Sequence, residues 1–269
     1  MTLKESNDLL KGEKIRLRLG VKLQVCYHPG QSPAIVFIHG GLGNRLNWRS
    51  QYEYFASQGR EIITYDLAGH GDSTPYPRYS LGRHRRDLSR LLRHFNIHSP
   101  VLCCHSYGVP LGLEWARHNQ VSGLVLIAGG THNLAPWWEI PAMKFLAWGG
   151  RYLYHFPGVQ SLTNRLSSSH TGEQIEQFFL DSPTPKNLHP YEALEIFWGY
   201  NFFQHHRVKI SRKIPVLVIS GGVDPTFTEA MGKELADYFS NSQHIHLPQA
   251  GHLLMAEYPE LVNDAIAKF

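Results

Sequence analysis

One serine lies where the sequence pattern places a nucleophile. Residues 104–108 read Cys-His-Ser-Tyr-Gly and join a short apolar segment to a helical pattern. A sharp turn at such a junction lifts the hydroxyl of Ser106 clear of a sheet. A serine hydroxyl is a weak nucleophile by itself, so it needs a histidine as base and a carboxylate that holds the tautomer of that histidine. Ser106 is therefore a candidate nucleophile if such partners follow.

The partners that Ser106 requires follow two later apolar segments. The sequence Gly-Gly-Val-Asp after residues 216–220 places Asp224 in the loop at the end of a predicted strand. Near the C-terminus, Gly251 permits a tight turn that projects His252 after the last predicted strand. The sequence therefore predicts a chain of Ser106, His252 and Asp224.

Two other aspartates are alternatives for the acid. Asp66 and Asp72 follow the apolar segment 61–65, where the surrounding glycines favour a turn. A third possible position for the acid is the loop 129–133 after the apolar segment 124–128, but this loop carries no carboxylate. Asp224 is the preferred prediction.

Short apolar segments alternate with longer amphipathic ones along most of the chain, and these elements must position the candidates. The strand-like segments are residues 14–19, 21–27, 34–38, 61–65, 101–104, 124–128, 216–220 and 244–247, the first two forming a hairpin around Gly20. The helix-like segments are residues 47–57, 81–95, 107–118, 229–238 and 253–268. This alternation predicts an α/β fold with a mostly parallel sheet covered by helices on both faces.

The alternation stops over residues 131–206, where aromatic residues accumulate without a clear strand. This segment is predicted to be a helical insertion, with a core domain formed by residues 1–130 and 207–269. Most of its rings are expected to pack among themselves, and a few to line a pocket. The four candidate pocket rings are Trp137, Trp138, Trp148 and Trp198.

The composition argues against a disordered, collagen-like or coiled-coil chain. The 269 residues are 42% hydrophobic and 18% charged, which is typical of a globular chain. Lysine and arginine exceed aspartate and glutamate by only 26 − 22 = 4, so no nucleic-acid partner is predicted. The arginines at 83, 85, 86, 90 and 93 favour the solvated face of a helix, with an acidic partner as the alternative.

Neither a metal site nor a membrane anchor is predicted. The chain has three cysteines, two of them adjacent, and the pairs His94 with His98 and His205 with His206 have no further ligands nearby in sequence. Cys103 and Cys104 are predicted to be buried strand residues. The first residues lack a signal-peptide pattern and no apolar run reaches about 18 residues, so a cytoplasmic location is expected.

Five motifs in order make the chain similar to the α/β-hydrolase superfamily. They are His-Gly-Gly at 39–41, Asp-Leu-Ala-Gly-His-Gly-Asp-Ser at 66–73, the Ser106 motif, Gly-Gly-Val-Asp at 221–224, and Gly-His at 251–252. The resemblance implies an eight-stranded, mostly parallel sheet with a cap inserted after the sixth strand. It also implies that the backbone N–H groups of Gly41 and Tyr107 hold an oxyanion, with Leu42 as the alternative donor. No metal or organic cofactor is expected.

The motif around Ser106 departs from the family pattern at one position. The family usually has glycine on both sides of the nucleophile in G-x-S-x-G, and here the first glycine is Cys104 while Gly108 is kept. A cysteine at that position predicts a slightly wider turn between strand and helix.

These features predict a serine hydrolase that cleaves an ester, thioester or amide of a small to medium apolar molecule through an acyl-enzyme. Leu42 and the four tryptophans are the predicted substrate-binding residues. Two alternatives stay open: non-hydrolytic or C–C bond chemistry on the same triad, and a ligand-binding receptor with little turnover. The sequence does not specify the oligomeric state.

Overall fold

The computed structural model describes residues 10–17, 20–130, 141, 145, 149, 173–182, 189–194, 196, 210–211 and 213–269. Its centre is an eight-stranded sheet with the order β1-β2-β4-β3-β5-β6-β7-β8. The pairs β1–β2 and β2–β4 are antiparallel and every other pair is parallel. The predicted α/β fold with a mostly parallel sheet is thus confirmed.

The strands follow the apolar segments of the sequence. They are β1 Glu13–Arg16, β2 Lys22–His28, β3 Gln31–Ile38, β4 Arg60–Tyr65, β5 Val101–His105, β6 Gly123–Ile127, β7 Val216–Gly221 and β8 Ser242–Leu247. Strands β6 and β7 are buried at every position, as continuous apolar runs predict for strands covered on both faces.

The helices cover both faces of this sheet. They are α1 Arg49–Ser57, α2 Leu81–His94, α3 Gly108–Ala116, α4 Glu173–Asp181, α5 His189–Ala193, α6 Glu229–Asp237, α7 Leu254–Glu257 and α8 Pro259–Lys268, and a short 3-10 helix at Arg45–Trp48 precedes α1. Alternate residues of β3 belong to different cores: Val36 packs with α2, α3 and α6, and Phe37 packs with α1 and α8. This alternation is the period of two of a strand with both faces buried.

Most element boundaries differ from the predictions by a few residues, and three of the differences have a clear physical reason. The single C-terminal helix predicted at 253–268 is wrong: α7 ends before Tyr258, whose backbone is not helical (φ −134°, ψ 59°), and α8 begins at Pro259. Proline disfavours the helical conformation in the residue before it and lacks an N–H, so the helix must break there.

At the other end of the chain, the predicted strand at 14–19 stops at Arg16. The backbone N–H of Leu17 donates to the carbonyl of Val21 (2.8 Å), and Gly20 adopts a positive φ of 79°. The hairpin turn therefore begins earlier than predicted. The helix predicted at 47–57 likewise begins as the 3-10 helix at Arg45–Trp48, where the side chain of Asn44 accepts the N–H of Leu46 (2.8 Å).

Part of the segment between β6 and β7 is anchored to the sheet domain through α4. The guanidinium of Arg49 donates from Nε (2.6 Å) and Nη2 (2.9 Å) to the two carboxylate oxygens of Asp181. The side chain of Asn44 donates to the backbone carbonyl of the same residue (2.7 Å). Ile175 also packs with Leu253 in a small apolar cluster. These contacts place α4 beside the loop that carries His252.

Among the described residues, no helix combines the length and the apolar character that crossing a membrane requires.

Candidate active site

Ser106 sits on a sharp turn between β5 and α3. Its φ is +48°, a left-handed conformation that side chains rarely adopt. The turn is held on both sides: the N–H of Ser106 donates to the carbonyl of Ile127 (3.0 Å), and its own carbonyl accepts the N–H of Val109 (2.9 Å). Strain held by its surroundings is typical of functional positions. The side chain is only partly buried, so the hydroxyl is accessible.

The glycine after the turn is required by the neighbouring strand. A Cβ at Gly108 would lie 2.5 Å from the carbonyl oxygen of Ile38. Since real side chains do not approach a backbone oxygen so closely, the start of α3 could not pack against β3 with a larger residue here.

Cys104, the departure from the family pattern, is accommodated by a second glycine. Its thiol is fully buried and lies where a Cβ of Gly112 would be, so the helix leaves room for the sulfur. Burial raises the pKa of the Cys104 thiol above its ordinary value, so it stays protonated and unreactive.

We expect Cys104→Ala to keep kcat of the wild-type enzyme within about threefold, because the thiol does not contact the reacting atoms. Removing the buried sulfur leaves a small cavity and should lower the free energy of unfolding by about 1 kcal/mol. The measurement is kcat together with urea unfolding and the rate of inactivation by iodoacetamide. Rapid stoichiometric inactivation that disappears in Cys104→Ala would instead make the thiol functional.

His252 links Ser106 to Asp224. Its Nε2 lies 3.0 Å from Oγ of Ser106, and its Nδ1 lies 2.9 Å from Oδ2 of Asp224. A carboxylate accepts hydrogen bonds and cannot donate them, so Nδ1 carries the proton and Nε2 is left to accept the serine hydroxyl. This is the tautomer that a general base for Ser106 requires.

Asp224 is buried and oriented by its own loop. Its Oδ1 accepts the backbone N–H groups of Thr226 (2.7 Å) and Phe227 (3.1 Å), which leaves Oδ2 for His252. Burial acts to raise the pKa of Asp224, but the charge and hydrogen bond of His252, with those N–H groups, outweigh burial and hold it below 3.8. Asp224 is therefore ionised at every pH at which His252 can act as a base.

The same pairing raises the pKa of His252. Burial acts to lower the pKa of His252, but the Asp224 carboxylate raises it by its charge and hydrogen bond, and Glu257 adds to this by charge. The net result is a pKa above the ordinary 6.5. The ring of Phe227 stacks over that of His252 at 6.1 Å between centroids, which limits its rotation.

Close contact between two loops brings Asp224 and His252 together. The N–H of Gly222 donates to the carbonyl of Leu247 (2.9 Å), and that of Val223 donates to the carbonyl of Ala250 (3.1 Å). A Cβ at Gly221 would lie 2.5 Å from the carbonyl oxygen of Gly251. Because β7 and β8 are parallel neighbours, the loops at their carboxyl ends meet at one edge.

The two alternative acids lie elsewhere. Asp66 is fully buried and accepts the N–H of Arg45 (2.7 Å), its guanidinium (2.7 Å) and the N–H of Asp72 (2.8 Å). The side chain of Asp72 is 60% exposed and pairs with the same arginine at 3.2 Å. Both carboxylates therefore serve a turn, as the glycine-rich pattern predicts.

We expect Asp224→Asn to lower kcat by about 10⁴-fold, because an amide favours the wrong tautomer of His252. The pH midpoint of kcat/KM should also fall, since the charge that raises the pKa of His252 is gone. Asp72→Asn is the matched control and should leave kcat unchanged. An Asp224→Asn enzyme with most of its activity would contradict this assignment and direct attention to Asp66.

The two predicted oxyanion donors lie side by side. A Cβ at Gly41 would lie 3.6 Å from Cβ of Tyr107 and 3.2 Å from Cδ2 of Leu194. The adjacent Leu42 has a φ of +61°, a strained conformation for a side-chain-bearing residue. The phenol of Tyr107 donates to the carbonyl of Ala193 (3.0 Å), which fixes the residue after the nucleophile.

Three residues beside the triad were not predicted from the sequence. Phe227 stacks on His252, Glu257 accepts the N–H of Gly251 (2.6 Å), and His105 lies 2.8 Å from the carbonyl of His252. Only His105 has a sequence signal, its position next to Ser106. The others are recognisable only once the loops are brought together.

The remaining candidate residues of the sequence analysis include four tryptophans, two adjacent histidines and the arginines of α2. Trp137, Trp138, Trp148 and Trp198 lie outside the described residues. His205 and His206 also lie outside them, and the described part of the chain contains no group of three possible metal ligands. In α2, Arg86 and Arg93 are exposed, as predicted for a solvated face. Arg90 and Arg85 are partly buried instead, and they lie 2.6 Å from Asp87 and 3.8 Å from Glu114.

Known proteins match this chain over most of its length. The family model described as alpha/beta hydrolase fold matches residues 33–259. The chain is 28% identical over 257 residues to the sn-1-specific diacylglycerol lipase ABHD11 of Mus musculus, which covers 88% of this chain and 80% of that protein. It is 29% identical over 250 residues to 3-oxoadipate enol-lactonase 2 of Acinetobacter baylyi, with 87% of each chain covered.

Solved structures show the same fold. An esterase from Exiguobacterium antarcticum superimposes with a TM-score of 0.82 over 96% of this chain and 98% of its own. The sequence identity is 15%, so this likeness concerns the arrangement of the elements.

Proposed function

The chain belongs to the α/β-hydrolase fold family, and we propose that it is a serine hydrolase acting on carboxylic esters of small to medium apolar molecules. The observation that carries the proposal is the hydrogen-bonded chain from Ser106 through His252 to Asp224, with distances of 3.0 and 2.9 Å. It connects a partly buried, strained serine to a base in the correct tautomer and to a buried anion. This is the arrangement that acyl transfer needs.

The proposed reaction proceeds in two halves. His252 takes the hydroxyl proton at Nε2 as Oγ of Ser106 attacks the ester carbonyl, and the N–H groups of Gly41 and Tyr107 stabilise the oxyanion. The protonated His252 returns that proton to the departing alkoxide, leaving an acyl-enzyme. Water then attacks the acyl group with the same base, and the carboxylic acid leaves.

The named relatives support an ester as the scissile bond over a thioester or amide. One is called a diacylglycerol lipase and the other an enol-lactonase. A lactone is a cyclic ester, so both names describe cleavage of a carboxylic ester. An alkoxide also leaves more readily than an amine anion. Ester cleavage therefore depends less on proton donation from the imidazolium of His252 than amide cleavage does.

We further propose that residues 131–206 form a cap over the site, with residues 1–130 and 207–269 as the core domain. The described anchor of this segment, the pairing of Asp181 in α4 with Arg49, supports contact with the core. Leu194, from the same segment, faces Gly41 beside the proposed oxyanion donors. Apolar side chains at this place favour an apolar acyl or alcohol group.

We expect kcat/KM to rise with the acyl chain length of p-nitrophenyl esters, up to about fourfold per carbon, until the pocket is full. Each buried methylene contributes roughly 0.8 kcal/mol. Leu194→Ala should shift the acyl chain length with the highest kcat/KM toward longer chains, because it removes an apolar side chain beside Gly41. The tryptophans at 137, 138, 148 and 198 are predicted to act in the same way.

Ser106→Ala serves as the blank in this experiment. A flat profile from acetate to long-chain esters, or a preference for charged substrates, would contradict the apolar pocket. Covalent labelling of Ser106 without turnover of any ester in the series would contradict the hydrolase itself and favour a ligand-binding protein.

A further inference from the structure

His105, the residue before the nucleophile, has an imidazole that the proposed reaction does not use. Its side chain is buried, with 4% of the residue exposed. We infer that His105 is a positioning residue that holds the backbone of His252 at the distance from which His252 reaches Ser106. The inference rests on the proposed function, because it assigns a role within that same site.

One hydrogen bond joins the two histidines. Nε2 of His105 lies 2.8 Å from the carbonyl oxygen of His252. A carbonyl oxygen can only accept, so Nε2 of His105 carries the hydrogen and donates it. The nucleophile follows His105 directly in the chain, so this bond ties the strand that presents Ser106 to the loop that presents its base.

The other side of the His105 ring rests against the loop with the proposed oxyanion donor. A Cβ at Gly40 would lie 2.7 Å from Nδ1 of His105 and 3.3 Å from Cβ of Ser106. Gly40 precedes Gly41, so one side chain contacts both the loop of the base and the loop of the oxyanion donor. A shift of this ring would move both relative to Ser106.

The ring is suited to this position because it stays uncharged. Burial, helped by the nearby His252, lowers the pKa of His105 to about 3. The two rings are 4.9 Å apart between centroids, so a charge on His105 would oppose the imidazolium that forms on His252 during attack. His105 does not act as the base itself, because its Nε2 hydrogen is committed to the carbonyl.

Gln51 provides a matched control in the same region. It is fully buried and its Nε2 donates to the carbonyl of Met255 (3.1 Å), three positions after His252. Both side chains thus make a buried hydrogen bond to the backbone of one segment. Of these two side chains, His105 bonds the backbone of His252 and Gln51 does not.

The experiment compares His105→Phe, His105→Gln, His105→Asn and Gln51→Leu in ester hydrolysis across pH and in the rate of fluorophosphonate labelling of Ser106. We expect His105→Phe to lower kcat and the labelling rate by about 10- to 100-fold, because a displacement near 1 Å costs about that much. KM should stay within about twofold. The pH midpoint of kcat/KM should fall, because a displaced His252 pairs less well with Asp224.

Conservative replacements separate positioning from filling space. Glutamine can donate from the place of Nε2 and should keep kcat within about threefold, whereas the shorter asparagine cannot reach the carbonyl and should resemble phenylalanine. Comparing these two variants shows whether the hydrogen bond of His105 is required, even if His105→Phe does not fold. Gln51→Leu should lower the free energy of unfolding and leave kcat and the pH midpoint unchanged.

Several results would overturn the inference. They are an unchanged kcat in His105→Phe or His105→Asn, equal losses in the glutamine and asparagine variants, or a loss of kcat in Gln51→Leu as large as in the His105 variants. A wild-type enzyme in which Ser106 is neither labelled nor needed for hydrolysis would instead refute the proposed function.

Discussion

Ser106→Ala is expected to lower kcat/KM for ester hydrolysis by about 10⁴- to 10⁶-fold, the range that loss of the nucleophile causes in serine hydrolases. His252→Ala should have an effect of the same size, because Ser106 and His252 act as one unit. Combining the two replacements should therefore add little to either alone. The measurement is steady-state hydrolysis of the best p-nitrophenyl ester.

The fold should survive Ser106→Ala, since the turn is held by backbone hydrogen bonds rather than by the hydroxyl. Unchanged urea unfolding checks this. Ser122→Ala is a matched control: its exposed hydroxyl bonds the carbonyl of Ser99 at 2.8 Å, at the amino ends of β5 and β6 and so opposite the strand end that carries Ser106, and activity should be unchanged. Ser106→Ala with a tenth or more of the wild-type activity would contradict the assignment of the nucleophile.

The second large effect is a loss of stability in mild acid. Four histidines are buried without charge: burial lowers the pKa of His39, His70, His84 and His105 to about 3 in each case. In the unfolded chain a histidine takes up its proton near pH 6.5. Between these values the unfolded state binds more protons, so the free energy of unfolding must decrease as the pH falls below 6.5.

The size of this effect follows from the same pKa values. Each of the four histidines contributes a loss of about 2 kcal/mol at pH 5, about 8 kcal/mol together, relative to pH 7.5. The whole stability of a typical domain is about 5–15 kcal/mol. The raised pKa values of His252 and of Asp66, which burial raises, act in the opposite direction but concern two groups against four. We therefore expect the free energy of unfolding to decrease by several kcal/mol between pH 7.5 and 5.

Urea unfolding between pH 7.5 and 5 measures this loss directly. His84→Phe should reduce the number of protons taken up on unfolding by about one, because it removes one of the four groups. A free energy of unfolding that is constant from pH 7.5 to 5.5 would show that these imidazoles are not held uncharged.

Much of the candidate site could be predicted because its residues follow strand ends. Apolar runs mark β5 and β7, the short segment 244–247 marks β8, and the parallel pairing from β5 to β8 places their carboxyl ends at one edge. Ser106, Asp224 and His252 could therefore be chosen without knowing a single contact. The prediction used the chemical type of each residue and its position relative to its own strand.

The contacts that support these residues could not be predicted in this way. Cys104 suggests a wider turn by itself, and only the packed helix shows that Gly112 makes room for its sulfur. The bond between His105 and the carbonyl of His252 joins residues 147 positions apart. The break at Tyr258 is different: Pro259 marks it in the sequence, but the apolar periodicity continues across it.

Fluorophosphonate labelling followed by peptide mapping tests the central claim most directly. The reagent bonds covalently to an activated serine hydroxyl, so its position reports which residue is the nucleophile. The account predicts one equivalent on Ser106, with ester hydrolysis lost in proportion to labelling and no adduct in Ser106→Ala. An adduct on another residue, or full labelling of Ser106 with hydrolysis retained, would contradict it.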